Sequence, residues 1–140
     1  WEVRANGARL LAFLKEETAV PRLLELLNSC DNDQKPAFCH IAQSLGKLGG
    51  EQARAALTEK LGHEEAWFRV DAAAALCHFQ FNEVKEALMQ TLLDGSVFDD
   101  YIAVLISRSY KLNELPWQES PLMSEVLAQL VLCLLKALDG

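Results

Sequence analysis

The sequence predicts an all-α chain: a right-handed α–α superhelix of about four helix pairs plus a C-terminal helix. Three observations predict it. One word recurs at a spacing of about thirty residues. Between its copies stand shorter words whose apolar residues recur every three or four positions, the period of a helix rather than a strand. Gly, Pro, Asn and Asp fall between the words, and no long alternating stretch appears. A repeat of this length belongs to a solenoid, in which each unit buries its apolar stripe only against its neighbours.

The recurring word spans residues 3–14, 37–49, 68–79 and, more weakly, 98–106; the starts lie 34, 31 and 30 residues apart. The shorter words span residues 19–27, 53–61 and 84–93, and each pairs with the long word that follows. Pro21 suits a helix's first turn, where its missing amide hydrogen would have had no intrahelical partner. Residues 28–33 read as a polar turn. Gly49 and Gly50 close the second long word with a permissive backbone, and Asp94-Gly95 ends a later one. Ser96 followed by Asp99 resembles a capping box. Residues 113–120, with Pro116 and Trp117, break the period. Ser120-Pro121 then starts a final helix to about Leu138, whose wide Leu and Val stripe is expected to cap the last repeat or to meet a further repeat or partner. The repeats therefore occupy residues 1–112, and residues 113–140 form an irregular loop and capping helix of the same domain. Ala42, Leu45, Ala72, Leu76 and Ile106 are the expected core.

The totals narrow the function. A chain of 140 residues is one domain's worth. It holds 13 Lys and Arg against 20 Asp and Glu. That balance opposes non-specific nucleic-acid binding, which needs cations to neutralise phosphates, and it opposes an anionic membrane surface. No apolar run reaches the roughly 18 residues of a membrane span. The chain opens on Trp1 without a Met or a signal peptide and reads as a piece of a longer protein, with further repeats in the parent. Cys30, Cys39, Cys77 and Cys133 are scattered without a CxxC spacing. They read as reduced thiols, consistent with a cytoplasmic protein.

The words resemble the HEAT-like repeat of the phycobilisome-lyase type, over residues 1 to about 109. Val3-Arg4, Arg69, Ala72-Ala73, Ala75-Leu76 and the run from Leu45 through Gly46, Lys47, Leu48 and Gly49 to Gly50 match the first half of that repeat. Ala19-Val20-Pro21 and the Leu-rich residues 23–27 match the second. Phe38 and Asp99 stand where the repeat has Arg, so any inter-repeat ladder of Arg and Asp is interrupted there. The resemblance implies a fold more than a function, since such repeats occur in bilin lyases, phycobilisome-degradation factors, an iron-dependent hydroxylase, DNA glycosylases and scaffolds. It also implies that the second helix of each pair lines the concave face.

Removing the apolar places from those helices leaves Ala5, Asn6, Arg9 and Phe13; Cys39, His40, Gln43 and Lys47; Val70, Asp71, Ala74 and His78; and Asp100, Tyr101, Val104 and Arg108. One row across the repeats reads Asn6, His40, Asp71, Tyr101, and another Phe13, Lys47, His78, Arg108. The expected partner-binding residues are Asn6, Arg9, His40, Gln43, Lys47, Asp71, His78, Tyr101 and Arg108, and the expected partner is a protein or peptide. A bilin-handling factor is the alternative from the resemblance, and a HEAT-like DNA glycosylase the third reading. No metal, cofactor or catalytic residue is expected. The Cys39-His40 and Cys77-His78 pairs are out of register by seven residues, about 10 Å along a helix. His63-Glu64 falls in a turn, without a second pair. Adjacent Cys39 and His40 point about 100° apart and form no dyad. No GxSxG or phosphate loop is present. Arg4 and Arg69 are expected to bond loop carbonyls or neighbouring acids, and Trp1 and Trp67 to pack between repeats.

Overall fold

The computed structural model describes residues 1–93 together with Ala128, Val131 and Leu132. Six α-helices follow in order: α1 (Glu2–Phe13), α2 (Val20–Ser29), α3 (Lys35–Leu48), α4 (Glu51–Lys60), α5 (Ala66–Leu76) and α6 (Phe81–Leu93). Short 3-10 turns at Glu17–Ala19 and Asn32–Gln34 precede α2 and α3. Each helix ends within three residues of a word read from the sequence. The fourth long word, the irregular loop, most of the final helix and Ile106 lie outside the described residues.

Packing makes two rows. In the first, α1 lies on α3 and α3 on α5. In the second, α2 lies on α4 and α4 on α6. The rows join where α2 packs on α3 and α4 on α5, so the repeating unit is a short leading helix followed by a long one. This is an α–α solenoid. Its core runs between the rows, and Ala42, Leu45, Ala72 and Leu76 are fully buried there, as expected.

Local chemistry sets the boundaries. Pro21 and Pro36 sit in the first turns of α2 and α3, where a missing amide hydrogen costs nothing. Gly49 (φ 76°) and Gly50 (φ 92°) turn the chain from α3 into α4 through a backbone region that side chains disfavour. Asp31 closes a capping box not anticipated from the sequence. Its carboxylate accepts from the Asp33 amide at 2.9 Å, while its own amide donates to Gln34 Oε1 at 3.0 Å. Helix α1 ends in a Schellman turn: the Lys15 amide donates to Ala12 O and the Glu16 amide to Leu11 O. Lys15 therefore takes φ 57°, where glycine is the usual occupant.

The interrupted Arg position has a packing reason. Phe38, in place of the repeat Arg, is buried with its ring edge-on to Phe68, centroids 4.3 Å apart. Arg69 behaves as expected, its Nη1 donating to His63 O (2.7 Å) and Glu64 O (2.9 Å) and so tying the loop to α5. Three expectations need correcting. Among the described residues Arg4 bonds no loop carbonyl; its guanidinium lies 4.7 Å from the centroid of the Trp1 ring. Trp1 and Trp67 are not packed away between repeats but stay 37% and 45% exposed.

Candidate functional site

Along α1, Asn6, Arg9 and Phe13 are spaced three and four residues apart, and along α3 so are His40, Gln43 and Lys47. That spacing puts each trio on one helical face. Because α1 packs on α3, the two faces meet across a groove of about 500 Å³. All six residues line it, with Leu10, Ala12 and Ser44. Phe13 is 81% exposed and Leu10 57% exposed, so the α1 wall offers apolar surface beside its polar groups. Ala12 and Ser44 are buried and form part of the floor. Among the described residues no carboxylate lines the groove.

A second hollow of about 510 Å³ adjoins the first, toward the N-terminal ends of α1 and α3, and shares Asn6, Arg9 and His40 with it. Trp1, Glu2 and Asp33 stand around it. At the other end Lys47 also borders a hollow of about 280 Å³ with His78, Arg54, Glu51 and Glu83.

Five of the nine predicted residues thus share one groove: Asn6, Arg9, His40, Gln43 and Lys47. The α5 pair sits differently. His78 joins the group through Gln43, its Nε2 donating to Gln43 Oε1 at 2.6 Å. Its pKa is lowered, first by partial loss of solvent and then by the nearby charge of Lys47. Asp71 is turned toward α3, where it interacts with the Cys39 thiol. Burial pushes the Asp71 carboxyl up to about 6, and the neighbouring Cys39 thiol offsets part of that rise. Cys39 in turn is pushed up to about 11, by burial and then by the Asp71 charge. A thiol held that firmly protonated lacks the thiolate a nucleophile needs. Tyr101 and Arg108 lie outside the described residues.

Two positions assigned to the open face are buried instead, Ala5 at 4% and Val70 at 6% exposure. Both belong to the hydrophobic core, so the solvent-facing arc of α1 and α5 is narrower than the pattern suggested. Sequence reasoning missed Leu10 as a lining residue because its place in the word is apolar. It also missed the Gln43–His78 bond, because Gln43 stands in neither of the two rows read across the repeats.

Among the described residues no three His, Cys, Asp or Glu side chains converge as metal ligands would. His63 is engaged locally: its Nδ1 accepts from the Glu65 amide at 3.0 Å and its ring lies 4.5 Å from that of Phe68. Among the described residues no helix is long and apolar enough to cross a membrane.

The family model for HEAT repeats matches residues 1–77, which hold α1 to α5 and the whole groove. No curated protein and no solved structure matches the chain.

Proposed function

Since the chain belongs to the HEAT-repeat family, we propose that it is a non-enzymatic interaction scaffold that holds a protein or peptide along its first helical row. The observation that carries the reading is the α1–α3 groove, where five residues chosen from the repeat pattern share one hollow with the exposed side chains of Leu10 and Phe13. Solenoids bind along such extended surfaces because stacked repeats hold side chains at a regular spacing on a rigid support. In this reading the repeats continue to residue 112 and residues 113–140 cap them, with Tyr101 and Arg108 extending the same surface. The cysteines are scattered without a CxxC spacing, which supports a reducing compartment such as the cytoplasm.

A photo-crosslinking amino acid placed at Asn6 or Phe13, and for comparison at Arg22 on α2, tests the proposal. A protein crosslinked from the groove positions and not from Arg22 is the expected result. Crosslinking from Arg22 alone would move the partner to the second row and defeat the assignment. The bilin-handling role implied by phycobilisome-lyase-type repeats makes a different demand. A tetrapyrrole mixed with the chain would change its absorbance band, and that result would displace the scaffold reading.

A further inference from the structure

The repeat spacing aligns Arg9 with Gln43, 34 residues on, and Lys47 with His78, 31 residues on. The same two positions therefore face each other at both contacts of the first row. Between α3 and α5 they are Gln43 and His78, joined by a hydrogen bond of 2.6 Å. Between α1 and α3 they are Arg9 and Lys47. Two cations cannot bond each other, so the link that closes one layer is lacking in the other, and the groove lies there.

Acids stand near both cations, Glu2 and Asp33 around the hollow beside Arg9 and Glu51 and Glu83 around the hollow beside Lys47. Among the described residues none of these acids forms an ion pair with either cation. Arg22, Lys35 and Arg54 each have a carboxylate partner, on Glu25, Glu65 and Glu51. Among the described residues Arg9 and Lys47 have none, and no carboxylate lines their groove. This is a chain of net charge −7, with 20 acidic side chains available. The charge of Lys47 adds to burial in lowering the pKa of His78, with which it shares the neighbouring hollow. Beside the cations, Leu10 and Phe13 keep most of their apolar surface in water.

We propose that the α1–α3 groove takes an acidic peptide segment carrying a large apolar side chain. A carboxylate of the segment sits between Arg9 and Lys47, making the bridge that Gln43 and His78 make one layer on. The apolar side chain covers Leu10 and Phe13. The inference rests on the scaffold reading and names the partner's chemistry. A peptide fits better than a nucleic acid. Phosphate backbones are held by many cations in series, and here two cations stand next to an apolar ledge in an acidic chain.

Selection of a random peptide library on the immobilised chain tests this, followed by anisotropy titration of dye-labelled selected peptides. The expected peptides carry Asp or Glu beside Leu, Phe or Trp. Their affinity should weaken with added salt, and should fall about tenfold or more in the R9E/K47E variant, as truncating or reversing a close charge pair does. R9Q/K47Q, gentler on the helices, should show a smaller loss in the same direction, and both variants should keep the wild-type circular dichroism melt. Peptides with their acids changed to Lys should recover binding to R9E/K47E. Neutral or basic selected peptides, or acidic ones indifferent to both double variants, would overturn the proposed chemistry. If Phe13→Ala still weakened those peptides, the scaffold reading would stand without it. No enrichment over the bare support would overturn the scaffold reading and this inference together.

Discussion

Two glycines lie within the first-row helices, and the structure predicts opposite signs for replacing them with alanine. At Gly46 in α3 an added Cβ runs into the carbonyl oxygen of Ala75 and stands 3.0 Å from His78 Cδ2 and 3.1 Å from the Ala75 carbonyl carbon. Carbon pairs are comfortable at about 3.5–4.0 Å, so α3 and α5 must separate. The first obstacle is backbone in the neighbouring helix, which no rotamer change relieves. Overpacking of this kind costs about 1–3 kcal/mol, and the backbone contact argues for the upper half. Against that, alanine gains about 1 kcal/mol of helix propensity over glycine. The expected net effect of Gly46→Ala is a loss of about 1–2 kcal/mol. At Gly7 in α1 nothing lies within 4 Å of the added Cβ, so only the propensity gain remains, about 0.5–1 kcal/mol of stabilisation. Urea unfolding of the two variants beside the wild type reads both signs. The Gly46 variant should also shift the imidazole proton resonances of His78, because the ring lies against the new methyl and bonds Gln43 on the same helix. A Gly46→Ala protein as stable as the wild type, with His78 unmoved, would show that α3 and α5 are not held at this distance by the missing side chain.

Two further perturbations follow from the local geometry. Lys15→Gly should stabilise the chain by about 1 kcal/mol, since the Schellman turn holds this residue at φ 57°, which costs a side chain roughly that much; thermal melting checks it, and a lower melting temperature would contradict the assignment. Asp71→Asn should change the pH dependence. The folded carboxyl titrates at about 6 and an unfolded one near 3.9, so between those values the folded state binds more protons and stability falls as pH rises, levelling off above the folded value. Asn removes that loss, so the variant should exceed the wild type by about 1 kcal/mol above about pH 6, a figure kept low because solvent reaches the carboxylate, and should match it below about pH 4. Denaturation of both proteins across that range gives the comparison, and a constant difference at all pH values would refute it.

The fold was legible because the apolar pattern states it several times over. Ala42 and Ala73, Leu45 and Leu76 occupy matching places in successive repeats, and all four are fully buried. Register survives one irregular copy when its neighbours agree. The ends of the pattern were less legible. Ala5 and Val70 were read as surface because they fell between the strongest apolar places, yet a small or branched side chain beside a close helix contact is buried by its neighbour. Trp1 and Trp67 stand at matching entry turns, which points to packing between repeats, yet they keep 37% and 45% of their surface exposed. Composition states what a side chain prefers, and the neighbouring helix decides what it receives.

The site is written in a different part of the sequence from the fold. A residue that repeats does the work common to every layer, so function is sought where one layer departs from the next. Two departures can be compared directly. At the Arg position, Arg69 ties the preceding loop to α5 through two carbonyls, while Phe38 gives up those bonds to place a ring edge-on to Phe68. That exchange is complete within the protein, because buried apolar contact replaces the lost polar contact. At the groove position the exchange is incomplete. Gln43 and His78 satisfy each other, whereas Arg9 and Lys47 leave two charges facing one space whose lining, among the described residues, holds no carboxylate. A departure compensated internally belongs to folding. One left uncompensated on an open surface directs attention outward, and the α1–α3 groove is where this chain leaves one.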